Sequence, residues 1–222
     1  MRISHKYRFV FLANPRTGST TVRSILDHYS DIKSVHITQI SERFPFYHHI
    51  SAQKLKAIFE ERGWDGSKYK KFCVIRNPYD RIVSLYHHSQ QMKFKKSSHS
   101  PKAQLRFLKE RLQYLVDSKK PFRDYVTSIS PKNRLTTSLK EFVCDKKGDF
   151  LVDDILVFEN LTSELQAYCK KIGLEFDSES VPYLNASQNR KFYTKYYHNL
   201  TKRRVASMYA YEIEKFGYDF KD

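Results

Sequence analysis

Residues 14 to 21 read NPRTGSTT and directly follow the apolar run FVFLA, so one glycine and four hydroxyl side chains surround a single arginine. A polar turn of this kind between a buried strand and a helix offers backbone N–H groups, hydroxyl donors and a cation to one anion, most naturally a phosphate. A second polar turn, RNPYDRIVSLY at 76 to 86, places Arg76 eight residues before Ser84. Between the two turns lies FYHHISAQKL at 46 to 55. Its paired imidazoles, His48 and His49, are the side chains best able to take a proton near neutral pH.

The elements that must position these residues are written in the hydrophobic pattern. Phe9 to Ala13 is a short unbroken apolar run, as expected of a strand covered on both faces. Val22, Ile25, Leu26 and Tyr29 then recur at helical spacing, completing strand, loop and helix. Lys54 to Arg62 predicts a second helix stopped by Gly63. Phe72 to Ile75 repeats the buried-strand signal, with Asn77 as an N-cap and Pro78 opening a helix. Residues 90 to 103, rich in lysine and serine, read as a basic surface loop or, more sharply, as a lid over an anionic ligand.

Further on, Leu105, Leu108, Leu112, Leu115 and Val116 mark a core-packed helix. Pro121 opens another carrying Phe122, Tyr125, Val126 and Ile129. Asp154 to Glu159 predicts a strand, and a helix starting at Thr162 or Ser163, with Ser163 and Gln166 as a capping box, ends at Gly173. A last helix carries Val205, Met208, Tyr209, Ile213 and Phe216 and stops at Gly217. Strands alternating with helices predict an α/β fold, a central parallel sheet flanked by helices, whose ligands sit beyond the carboxyl ends of the strands. Both polar turns fall at such ends.

With 222 residues and no visible repeat or linker, the chain reads as a single domain, 1–222, with one core. Its net charge of +16 calls for an anionic partner: nucleic acid, a polyanionic glycan or a phosphate-rich cofactor. Cys73, Cys144 and Cys169 are far apart and odd in number, which argues against a disulfide framework and for a reducing compartment. No stretch has the length of a membrane span, and the N-terminus lacks a signal peptide's apolar region, so the chain reads as soluble, cytoplasmic, or of the secretory lumen if an anchor is missing.

Set against the triphosphate loop G-x-x-x-x-G-K-[ST], this one has Ala13 at the first glycine and Ser19 at the lysine. That lysine reaches the β- and γ-phosphates, so a nucleotide or small-molecule kinase loses ground. A non-enzymatic basic protein binding nucleic acid would account for the charge and for 16 Tyr and 16 Phe. Most of those aromatics, however, fall at core-like positions, and no specific nucleic-acid motif accompanies them.

NPRTGSTT resembles the 5′-phosphosulfate loop of the sulfotransferase superfamily, which uses 3′-phosphoadenosine 5′-phosphosulfate (PAPS) as sulfuryl donor. RNPYDRIVSLY resembles its 3′-phosphate motif, and FENL at 158 to 161, PYLNAS at 182 to 187 and FGYDF near the end extend the likeness to the carbohydrate-type branch. The resemblance implies a P-loop-like sulfotransferase fold in which Thr17, Gly18, Ser19, Thr20 and Thr21 bind the 5′-phosphosulfate. It implies Arg16 beside the bridging oxygen, where many members have lysine, as the group that stabilises the leaving phosphate. Arg76 and Ser84 hold the 3′-phosphate by the same resemblance, with Arg81 either helping or pairing with a carboxylate. The resemblance further makes Arg190 and Lys191 candidates for a segment that closes over the nucleotide, against the plainer reading of both as solvated surface charge. The product is adenosine 3′,5′-bisphosphate (PAP).

Sulfuryl transfer needs an in-line acceptor, charge stabilisation on the leaving phosphate and a base. His49 is the first choice, with His48 and His36 as runners-up, while Glu159 at a strand end reads as an orienting group. No His, Cys and Asp cluster has metal spacing, so no catalytic metal is expected. The acceptor expected from the resemblance is a sugar or glycan, and neither its identity nor the oligomeric state is written in recognisable residues.

Overall fold

A tetrapeptide as apolar as Phe9–Leu12 is stable only in the middle of a sheet. It forms β2, between the short β1 (Arg2–Ser4) and β4 (Lys70–Ile75). With β3 at Ile32–Lys33 and β5 at Asp154–Val157, the order is β3-β1-β2-β4-β5. β2, β4 and β5 run parallel, with Phe11 opposite Phe72 and Cys73 opposite Ile155. β1 is antiparallel to both β2 and β3. The expected parallel sheet is thus the heart of a mixed one, and its antiparallel flank follows from the tight turn between Ser4 and Phe9, which cannot accommodate a crossover. The architecture is the expected α/β one.

The computed structural model describes residues 1–91, 108, 112, 120–175 and 190–221. The chain forms two units, Met1–Asn77 with Thr137–Ala186 and Pro78–Thr136 with Ser187–Asp222. In the first, strand alternation sends Phe9, Phe11, Phe72, Val74 and Leu156 into one cluster. There they meet Val22 and Leu26 of α1 (Ser19–Leu26) and Leu165, Tyr168 and Cys169 of a helix at Leu161–Lys171. The Phe72 ring lies 5.1 Å from Phe11 and 4.2 Å from Tyr168. Each such buried side chain stabilises the sheet by roughly 1.5–3 kcal/mol. Helix α2 (Ala52–Glu61) buries Leu55 and Phe59, with the Phe59 ring against Trp64 and Tyr69.

The second unit is helical. α3 (Pro78–Gln91) starts directly after Asn77, as the Asn-Pro pair predicts. Its Tyr79, Ile82 and Val83 pack with Phe122, Tyr125 and Val126 of α4 (Phe122–Ser128) and with Tyr193, Val205 and Tyr209.

Several local expectations change. After α5 (Leu139–Val143), β5 passes through a short 3₁₀ turn, Phe158–Asn160, into α6 (Leu161–Lys171). Ser163 therefore lies inside the helix and donates to the Asn160 carbonyl (3.0 Å) instead of opening a capping box. The last helix is two, α7 (Asn199–Met208) and α8 (Ala210–Phe216), broken at Tyr209, whose buried hydroxyl donates to the Thr136 carbonyl at 2.6 Å. Leu108 and Leu112 are helical as expected but 50% and 55% exposed. Of the loop or lid expected at 90–103, Gln90 and Gln91 instead end α3, and 92–103, with the rest of that next helix, lies outside the described residues.

Candidate functional site

The chain leaves β2, β4 and β5 on one side of the parallel strands, and the segments after them, 13–18, 76–77 and 158–160, contact one another. Asn14 donates from Nδ2 to the Val74 carbonyl (3.2 Å), tying the ends of β2 and β4 together. Arg16 (φ 62) and Gly18 (φ 73) both adopt left-handed backbone around Thr17. Alternation of this kind is one way a chain gathers successive amides round an anion. Gly18 is also confined by space: a Cβ there would lie 2.7 Å from Leu161 Cδ2 and 3.0 Å from the Phe158 ring.

α1 starts at Ser19, and its first helical bond runs from Val22 N to the Gly18 carbonyl (3.2 Å). The amides of Ser19 and Thr20 thus have no acceptor within the helix, the usual condition of an anion-binding terminus. The side chains of the loop divide by role. Thr17 is fully buried and its hydroxyl donates to the Asn14 carbonyl (3.0 Å), so that proton braces the turn and does not serve a ligand. Thr20 is partly exposed, whereas Ser19 and Thr21 are nearly covered. Arg76 donates from Nη1 to the Arg16 carbonyl (3.1 Å) and lies 4.2 Å over the Phe158 ring. Glu159 accepts from Asn77 N (2.8 Å), an orienting contact.

The three histidines separate on hydrogen-bond polarity. His49 Nδ1 is 2.7 Å from the Ala13 carbonyl; a carbonyl only accepts, so Nδ1 bears the proton and the neutral ring carries its lone pair on Nε2. His48 is the reverse. Its Nδ1 receives Arg23 Nη1 (3.2 Å) and contacts Ser34 Oγ (2.7 Å), which puts its proton on Nε2. Burial first, then the Arg23 charge, holds the His48 imidazole down to about 4. His48 is therefore neutral near pH 7 with its lone pair engaged, which removes it as a base. His36 is exposed and uses Nδ1 to cap the 3₁₀ turn Ile37–Gln39, accepting from Thr38 N (3.4 Å).

Arg23 escaped the sequence reading. It donates from Nε to the Ser19 carbonyl (3.1 Å) and from Nη2 to Thr20 Oγ1 (3.3 Å), besides its contact with His48. Its signal was present: a lone arginine three and four residues beyond two loop hydroxyls shares their face of a helix.

In the second unit, Ser84 is buried on α3, one turn beyond Asp80. Arg190 forms an ion pair with Asp80, on the face that Asp80 and Ser84 share. Arg81 is buried, donates to the Leu135 carbonyl (3.2 Å) and lies 5.6 Å over the Tyr209 ring. Lys191 is exposed, and its backbone N–H donates to the Tyr196 hydroxyl (3.3 Å). Among the described residues, no group of three His, Cys, Asp or Glu could hold a metal ion, and no helix is long and apolar enough to cross a membrane.

An α/β sheet with a hydroxyl-rich, lysine-free turn from strand to helix at its carboxyl ends has the architecture of a P-loop-like, phosphate-binding fold. The sulfotransferase family model matches residues 1–219, and the chain belongs to that family: it is a PAPS-dependent sulfotransferase. No curated protein matches it. Among solved structures it is similar to mouse sulfotransferase SULT7A1 complexed with PAP, at 15% identity and TM-score 0.48 over 95% of this chain and 85% of that one. A sulfotransferase from Alicyclobacillus acidocaldarius is similar at 15% identity and TM-score 0.39, over 96% of each chain.

Proposed function

We propose that the chain, as one sulfotransferase domain, transfers a sulfuryl group in line from PAPS to a carbohydrate hydroxyl or amine, with His49 as the base. The observation that carries this reading is the His49–Ala13 bond. It attaches the proposed base to the residue that opens the anion loop and directs the imidazole lone pair to Nε2.

PAPS, when bound, supplies the activated sulfuryl group. The first-turn amides of α1, with the hydroxyls of Ser19, Thr20 and Thr21, hold the 5′-phosphosulfate; Thr17 and Gly18 contribute backbone. The loop's donors and cations suit that anion. Arg16 stabilises charge on the leaving phosphate. Arg76 holds the 3′-phosphate, and the family resemblance adds Ser84 and Arg190 to that role. His49 Nε2 takes the acceptor's proton, and no metal is required by these residues.

Radiolabelled PAPS incubated with a panel of desulfated glycans tests the reading. Label should move to a glycan with the wild type and not with His49→Ala. Transfer only to non-carbohydrate hydroxyls would reject the carbohydrate assignment, and transfer undiminished in the variant would reject His49.

A further inference from the structure

Arg23 stands at a junction that the proposed mechanism does not use. Its guanidinium reaches three acceptors at once: the Ser19 carbonyl, Thr20 Oγ1 and His48 Nδ1. Two of these belong to the first turn of α1 and the third to the segment that carries His49. A guanidinium has donors only. Each contact therefore fixes the direction of a hydrogen bond as well as a position.

The consequence is sharpest at Thr20. A threonine inside a helix can turn its hydroxyl proton back to a carbonyl three or four residues earlier, as Ser24 does to the Thr21 carbonyl (2.8 Å), but Thr20, the second residue of α1, has only the pre-helical residues 16 and 17 at that spacing. Thr20 Oγ1 instead receives a donor from Arg23, and among the described residues its proton goes to no backbone carbonyl. One of the oxygen's two lone pairs is taken by a cation, and the hydroxyl proton stays available to an acceptor at the loop. An anion there can only accept.

We infer that Arg23 is a positioning residue for the sulfuryl donor: it holds the Thr20 hydroxyl as a donor to the 5′-phosphate end of the nucleotide and straps the loop to the His48–His49 segment. This rests on the PAPS-site reading above.

The test compares two probes, PAP and adenosine 3′-monophosphate, by calorimetry in EDTA. The dissociation constant of adenosine 3′-monophosphate divided by that of PAP isolates what the 5′-phosphate contributes. Arg23→Gln should lower that ratio about tenfold, the value of one hydrogen bond to a charged group. Thr20→Val should do the same while leaving Arg23 in place, Thr20→Ser should restore it, and the double variant should fall no further than either single one. If Arg23 only supports the fold, both nucleotides weaken together and the ratio is unchanged, which overturns the inference. Should Arg23→Gln fail to fold, an unchanged ratio in Thr20→Val overturns it equally. A folded wild type that binds neither nucleotide rejects the PAPS-site reading itself and this inference with it, an outcome distinct from binding with an unaltered ratio.

Discussion

His49 Nδ1 lies 2.7 Å from the carbonyl oxygen of Ala13, the residue between β2 and the anion loop. The bond fixes the ring's tautomer and holds it beside the loop without using Nε2, the nitrogen proposed to accept the proton. Asparagine can donate its side-chain amide to the same carbonyl but cannot act as a base. His49→Asn should therefore bind PAP as the wild type does while kcat falls by roughly 10²–10⁴. Calorimetry and a sulfuryl-transfer assay read the two effects separately. Loss of PAP affinity without loss of turnover would assign His49 to the donor instead.

His48 makes a pH prediction. An unfolded histidine titrates near 6.5 and the folded ring near 4. The unfolded state thus binds the proton first, so stability is lost as pH falls from 6.5 towards 4, and this ring adds no slope above 6.5. For a half-buried group, solvent screening reduces the effect to about 2 kcal/mol. His48→Gln should remove this component: its melting temperature, relative to wild type, should rise as pH drops through that window. Parallel curves would contradict the assignment.

Gly18 is bound to its residue type twice, by φ of 73° and by the side chains of Leu161 and Phe158 where a Cβ would lie. Left-handed backbone alone costs an alanine about 1–2 kcal/mol, and the clash adds to it. Gly18→Ala should lower the melting temperature by several degrees and weaken PAP binding, because relief of the clash displaces the start of α1. A variant as stable as the wild type would show that the loop relaxes freely.

The site was legible where short signals are strong. FVFLA followed by NPRTGSTT, and FCVI followed by RNP, announce two strand-to-helix turns from composition and breaker residues, and both stand where expected. The antiparallel flank was not legible, since β1 and β3 are three and two residues long and no periodicity develops over so few. The break at Tyr209 was hidden for a different reason. Helical spacing runs unbroken from Val205 to Phe216, and a tertiary contact, the hydroxyl on Thr136, accompanies the interruption. The choice between His48 and His49 likewise depended on partners remote in sequence, Arg23 and Ala13, which adjacent identical residues cannot reveal.

The donor site proposed for this chain is the 14–21 loop with Arg76, holding the nucleotide of PAPS. Calorimetric titration of PAP into the folded wild type and into Arg76→Ala, in EDTA, tests it most directly. Binding should be saturable without metal and at least tenfold weaker in the variant. No binding of PAP, or binding of ATP alone and only with Mg²⁺, would contradict it.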